Sequence, residues 1–209
     1  MLRNEQRKGQ SSFVAFYSAL STFFMLQPWT LLFSKIIQTC RVFSMREATY
    51  RSPRTGKEHN FYLIEAPDWV NIIALTADDQ VVLVKQYRFG TRDFCLEIPG
   101  GMLETEDSPE AAARRELAEE TGYEGDPPVL LGVVHPNPAI QTNRCHTFLI
   151  RNAVRKHSPK MDATEDIEVQ LMPLRKIPRL VAEGKITHAL VIAAFYWFFS
   201  ATRVKDCKR

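Results

Sequence analysis

Neither sign of charge dominates this chain: 27 Lys and Arg face 24 Asp and Glu in 209 residues, a formal net charge of +3. So small an excess argues against nucleic acid as a partner, which calls for a strongly basic surface. Cysteine is scarce. The four thiols, Cys40, Cys95, Cys145 and Cys207, show neither metal-ligand spacing nor a pairing pattern, which points to reduced thiols and a cytoplasmic protein. Only nine residues are glycine, while 45% are apolar and 24% charged; collagen-like repeats and wholesale disorder are excluded. The apolar-rich stretch from Ala189 to Ala201 has 13 residues, too few to cross a bilayer. The chain is nevertheless long enough to bury a core without disulfides or a structural metal.

What positive excess exists lies at one end. Residues 1–44 carry Arg3, Arg7, Lys8, Lys35 and Arg41 against Glu5, a net +4, leaving −1 for residues 45–209. Arg7 and Lys8 precede an uncharged, Phe-rich run from Gly9 to Ser34 that Ser11, Ser12, Gln27 and Pro28 dilute. Three readings stay open: a membrane or targeting segment, an extension ahead of a true start at Met45, or a folded soluble element. A membrane anchor follows only if residues 9–34 are genuine and retained.

From Met45 onward the pattern is of strands and two helices. His59–Glu65 reads as a strand that pairs with the segment around Tyr50–Pro53 across the turn Arg54–Lys57. Such a hairpin cannot bury a face alone and needs something to pack on. Further strands are expected at Val70–Leu75, Val81–Tyr87, Phe94–Ile98, Val129–Val134, Cys145–Arg151 and Ile167–Met172. Ser108 can cap a helix that Pro109 opens and Gly122 closes. A second helix spans roughly His188–Ala201. Strands, a helix, more strands and a terminal helix imply an α+β fold with a mixed sheet between helices. The expected organisation is a leader over 1–44, a hairpin region over 45–68 and a main domain over 69–205.

The segment Gly100–Tyr123, GGMLETEDSPEAAARRELAEETGY, carries the chemistry. At about 100° per residue, Glu116, Glu119 and Glu120 fall on one face within about one turn. Like charges placed so repel one another. A charge-rich solvated helix is the bland interpretation; hard divalent cations, which favour oxygen ligands, would give the cluster a purpose. The glycine turn before the helix can bring the Gly100 carbonyl beside those carboxylates.

This segment resembles the Nudix hydrolase signature, with Gly101, Arg115, Glu116, Leu117, Glu119, Glu120 and Gly122 in register. Two positions depart from it. Asp107 stands where the first signature Glu is expected, one methylene shorter, and Tyr123 replaces the closing aliphatic. The resemblance implies a Nudix α/β/α sandwich that hydrolyses a nucleoside diphosphate linked to another group. It also implies Mg2+, or Mn2+ in its place, held by Glu116 and Glu120 with help from Glu119 and the Gly100 carbonyl. Arg115 would be braced by Asp107.

Val84–Gly90 (VKQYRFG), Leu96–Glu104 (LEIPGGMLE) and Glu183–Ala189 (EGKITHA) are similar to ADP-ribose and nucleoside-diphosphate-sugar pyrophosphatases, and the likeness runs over residues 46–200. This implies a homodimer that exchanges the leading hairpin. It implies substrate contacts from Arg88 and Glu97, an aromatic base platform at Trp69, and a general base in Lys160–Glu168. Glu165 is the choice there, with Asp162, Asp166 and Glu168 as competitors. Solvent-facing Arg88, structural Glu97 and core Trp69 are the bland alternatives. Asn137-Pro138-Ala139 departs from the Ser-Pro-Gly turn of the ADP-ribose enzymes. Arg144, with Asn137, Gln141, Thr142, Asn143 and His146, offers donors and acceptors to a sugar or base, which favours a broader nucleotide-sugar enzyme. His135 and His146 read as structural or substrate-contacting rather than catalytic. The competing functions are hydrolysis of another diphosphate derivative, such as a dinucleoside polyphosphate, and a non-catalytic binding domain.

Overall fold

The structure, a computed structural model, describes residues 26–161 and 166–206. The described residues divide into two units, residues 26–35 with 47–61, and residues 36–46 with 62–161 and 166–206. Strands β1 (Thr30–Thr39), β2 (Ser44–Arg51) and β3 (Glu58–Glu65) form a three-stranded sheet with β2 in the middle. The expected hairpin is therefore two-thirds of a sheet, and its third strand falls within the stretch read as leader. Within the first unit, Trp29 meets Phe61 edge-on with ring centroids 5.5 Å apart, and Tyr50 meets Phe61 at 5.8 Å. Lys35–Glu47 and Arg51–Glu58 ion pairs, at 3.1 and 2.9 Å, run across this unit's strands. β1 is exposed along almost its whole length, Leu31, Leu32, Phe33, Ile36 and Ile37 included.

The second unit is a layered structure. One sheet has the order β7 (Gly100–Met102), β4 (Trp69–Ala74), β10 (Cys145–Ile150), β9 (Val129–Val134); another has β12 (Ile167–Pro173), β5 (Gln80–Arg88), β6 (Asp93–Glu97). β4 and β10 run parallel, Cys145 opposite Trp69 and Ile150 opposite Ala74, whereas the β12–β5 and β5–β6 pairs are antiparallel. Short strands β8 (Tyr123–Glu124) and β11 (Val154–Arg155) pair separately. Helix α1 (Pro109–Thr121) covers one face; α2 (Ile177–Ala182) and α3 (Ala189–Asp206) cover the other.

The sequence of β4 explains the layering. Successive side chains of a strand point to opposite faces. Val70, Ile72 and Ala74 accordingly pack with Ala112, Ala113 and Leu117 of α1, together with Phe148 and Ile150. Ile73, joined by Leu75 just beyond the strand, packs with Val81, Leu83, Ile177, Val191, Phe195 and Phe198. A strand buried on both sides must be apolar throughout, and β4 departs from that only at Asn71, near the site. Phe148 is fully buried, and its truncation to Ala is worth about 3–5 kcal/mol. The mixed sheet between helices agrees with the expected fold class. Among the described residues no helix is long and apolar enough to cross a membrane.

Candidate active site

Helix α1 is specified at both ends. Ser108 Oγ accepts the Ala111 N–H at 3.1 Å, Pro109 occupies the first turn, and Gly122 leaves the helix at φ 74° with its N–H on Ala118 O. Between these caps, Ala112, Ala113 and Leu117 bind the helix to the core while Glu116 and Glu120 face the glycine turn. Both carboxylates are almost sealed from solvent, at 9% and 4% exposed. A buried carboxylate needs hydrogen-bonding partners. Glu120 accepts the Gly100 N–H at 3.1 Å. Glu116 lies against Gly101, in space that any side chain at that position would fill.

Arg115 organises the outer side of this cluster. Its guanidinium donates to Asp107 at 3.0 and 3.1 Å, to Glu116 at 2.9 Å, to Glu119 at 3.2 Å and to Met102 O at 3.3 Å. Glu104 approaches at 3.8 Å. The shorter stem of Asp107 thus still reaches the arginine. Burial disfavours the Arg115 charge, but Glu116, then Asp107 and Glu119, outweigh it and hold the group above its ordinary pKa. On β5, Arg88 forms a two-pronged pair with Glu97 at 2.7 and 2.8 Å, and Glu97 is only 3% exposed. The hydrogen bond to Glu97 raises the Arg88 pKa, burial lowers it, and the field of Glu120 adds to the rise. Arg88 thus stands on the middle strand of its sheet, tied to the buried Glu97, with its own side chain 42% exposed.

A second cluster lies where β4 begins. Trp69 N–H donates to Arg144 O at 2.8 Å, which brings together two residues expected to meet the nucleoside. His146 forms a 2.9 Å contact with Asp68; His135 is exposed. Gln141 bridges to Ile64, fixing the loop after β9 at its middle. Among the described residues, no group of three or more His, Cys, Asp or Glu side chains is arranged to hold a metal ion. Glu116 and Glu119 turn toward Arg115 instead, and Glu120 toward Gly100. Glu165 lies outside the described residues, as does Asp162. Of its competitors, Glu168 pairs with Lys85 across β12–β5 and accepts from Gln170 at 2.8 Å. At the start of that loop, Lys160 N–H donates to Glu119 O at 2.8 Å, which ties it to the acid-bearing helix.

A NUDIX domain model matches residues 67–195. The chain belongs to the Nudix family. An ADP-sugar pyrophosphatase of Mus musculus is 31% identical over 181 residues, covering 78% of this chain and 82% of that protein. An ADP-ribose pyrophosphatase of Bacillus subtilis is 30% identical over 135 residues, 64% of this chain and 73% of that one. A GDP-mannose pyrophosphatase of Citrobacter koseri is 26% identical over 192 residues, covering 86% of this chain and all of its own. A crystal structure of an ADP compounds hydrolase superposes with a TM-score of 0.76 at 20% identity, over 86% of this chain and 97% of its own. The protein is thus a Nudix hydrolase with pyrophosphatase activity on diphosphate-linked substrates.

Two contributors to this Nudix site escape a reading of the sequence. Glu104 joins the acids around Arg115, and Asp68 ties Arg144 and His146 to β4. Glu104 stands three residues after Gly101, so its place in the signature turn was the available signal. Asp68, between Pro67 and Trp69, reads locally as a turn residue.

Proposed function

We propose that this Nudix hydrolase splits the pyrophosphate of nucleoside diphosphate sugars, ADP-ribose and GDP-mannose among them, to a nucleoside monophosphate and a sugar phosphate, using Mg2+. The observation that carries this reading is the pair of buried carboxylates, Glu116 and Glu120, seated on the glycine turn. The cradle at Gly101, which a Cβ would fill with atoms against the Glu116 carboxylate, keeps that oxygen pair at the turn. The donors are all hard oxygens, the set that suits Mg2+ and, in its place, Mn2+. Glu116, Glu120, Glu119 and the Gly100 carbonyl would hold the ion. Bound there, it supplies charge neutralisation on the phosphoryl oxygens and acidifies a water.

The chain's own groups do the rest. Arg115 keeps Glu116 and Glu119 oriented through its fork of hydrogen bonds. Arg88, oriented by Glu97, meets the pyrophosphate oxygens as a planar donor. Glu165 takes a proton from the attacking water as its oxygen bonds to one phosphorus and the bridging P–O bond breaks. Trp69 offers an indole face to the base, and Arg144 adds a donor beside it. Relatives named for ADP-ribose, ADP-sugar and GDP-mannose support this substrate class. We read the enzyme as a cytoplasmic homodimer; the exposed apolar side chains of β1, a surface that a second copy would bury, support the dimer.

The test uses the full chain with ADP-ribose, GDP-mannose, NADH and diadenosine polyphosphates, reading released mononucleotide. Cleavage of a nucleotide sugar that EDTA abolishes, Mg2+ restores and Glu120→Gln eliminates is the expected result. Cleavage of none of the nucleotide sugars, or an undiminished Glu120→Gln enzyme, overturns the proposal.

A further inference from the structure

We propose that Asp68 is a positioning residue that locks the nucleoside-selecting loop, residues 137–144, to the glycine turn of the catalytic acids. The inference rests on the reading of Trp69 and Arg144 as the nucleoside end of the site. Asp68 uses three acceptors in three directions. Its Oδ1 accepts the Arg144 backbone N–H at 2.8 Å, its Oδ2 meets His146 Nε2 at 2.9 Å, and its carbonyl accepts the Leu103 N–H at 2.9 Å. Leu103 lies two residues beyond the glycine turn. The neighbouring Trp69 N–H holds the Arg144 carbonyl at 2.8 Å. The Arg144 residue is thus gripped at both its N–H and its C=O, and the same dipeptide that grips it also binds the end of β7.

The first half of the loop is held separately, with the Ile140 and Gln141 N–H groups on Asn137 O at 3.1 and 2.7 Å. Its middle is held by Ile64, which donates to Ile140 O at 2.7 Å and accepts the Thr142 N–H at 3.2 Å. Between that point and Arg144 lies Asn143, 2% exposed, whose amide nitrogen and oxygen have no hydrogen-bond partner among the described residues. The exit of the loop therefore depends on Asp68 and Trp69. Burial pushes the Asp68 pKa up, but the His146 and Arg144 hydrogen bonds outweigh it and hold the carboxyl below its ordinary value, so these are charge-assisted bonds, the stronger kind. A loop held this way stays in register with Gly100 and Gly101, and the distance between the base and the scissile phosphate is fixed before substrate arrives.

The test compares full-length wild type, Asp68→Ala and Asp68→Asn by steady-state kinetics with ADP-ribose and by amide hydrogen exchange without substrate. Asp68→Ala is expected to raise KM roughly 10- to 100-fold, as loss of a charged hydrogen-bond acceptor would, with kcat little changed. Asp68→Asn keeps a neutral acceptor for the Arg144 N–H and turns an amide N–H toward His146 Nε2, which the Nδ1–H tautomer of the imidazole accepts, and is expected to restore most of the affinity. Exchange in residues 137–146 and at Leu103 should quicken in Asp68→Ala and return toward wild type in Asp68→Asn. Unchanged exchange in Asp68→Ala overturns the proposal, as does a fall in kcat with KM unaltered. If wild type cleaves no nucleotide sugar, the substrate reading falls, and the exchange experiment alone decides whether Asp68 holds the loop.

Discussion

Gly101→Ala separates catalysis from folding more cleanly than any change to the acids themselves. Gly101 does not have a left-handed backbone, so alanine introduces no dihedral strain. The new Cβ would, however, sit 2.6 Å from Glu116 Oε2 and against its Cδ and Oε1, where ordinary contacts begin near 3.4 Å. The carboxylate must withdraw by about 1 Å, a displacement that costs on the order of 100-fold when it affects a catalytic group. That is about 2.7 kcal/mol of transition-state stabilisation. The folding cost is much smaller, because the colliding atoms end a flexible side chain and α1 remains anchored through Ala112, Ala113 and Leu117. Stability should stay within about 1 kcal/mol of wild type, the range for a Gly→Ala change without strain. Mononucleotide release, followed chromatographically at saturating Mg2+, gives the rate, and urea unfolding gives the stability. Activity within fivefold of wild type, or unfolding well before the wild-type midpoint, would refute the assignment of Glu116 to a Gly101-shaped seat.

Other changes probe the surroundings. Glu97→Gln removes the charge that Arg88 faces; because the arginine side chain is 42% exposed, the loss should be about 2 kcal/mol rather than the full cost of breaking a buried pair, read by urea unfolding. Burial, followed by the charge of Asp68, pushes the Cys145 thiol up to about 12, so the folded state holds its proton where the unfolded chain has lost it. The associated stability is complete below the ordinary thiol pKa and declines as pH rises from about 9 toward 12; Cys145→Ala should flatten that decline, measured by unfolding at pH 8 and 10.5. Phe33→Glu with Ile37→Glu should convert the proposed dimer to a monomer in light scattering, and an unchanged mass would place the interface elsewhere.

The parts of this molecule that were legible from sequence are those whose causes are local. Ser108, Pro109 and Gly122 mark the limits of α1 because capping is a property of a few adjacent residues. The apolar runs of β4 and β5 were visible because buried strands leave a compositional trace. β7 was not foreseen: three residues become a strand only by pairing with Trp69, Val70 and Asn71 of β4. α2 was missed for its brevity, six residues with Pro178 at its start. β1 lies at the end of an uncharged run, and its apolar residues are as compatible with a membrane segment as with a strand, since composition alone does not distinguish them. The role of Asp68 depends on Arg144 and His146, 76 and 78 positions away, a relation that no local pattern contains.

Helix α1 also organises the chain segment that approaches its C-terminal end, which makes Gly122 more than a helix terminator. The Gly122 carbonyl accepts the N–H groups of Lys156 and His157, while Lys160 N–H reaches Glu119 O one turn back. The incoming chain packs so closely that a Cβ on Gly122 would collide with the His157 carbonyl, and φ of 74° disfavours any other residue on its own account. Gly122→Ala therefore carries two penalties, strain of about 1–3 kcal/mol and displacement of residues 156–160, the approach to Glu165. The expected variant is folded but less stable, with faster amide exchange over 156–160 and a fall in kcat exceeding any rise in KM, since the acids and the nucleoside end keep their own supports. Gly101→Ala, by contrast, should leave exchange over 156–160 unchanged. If Gly122→Ala loses stability while kcat and exchange stay at wild-type values, the contact with His157 is structural only, and the placement of residues 156–160 does not depend on this end of the helix.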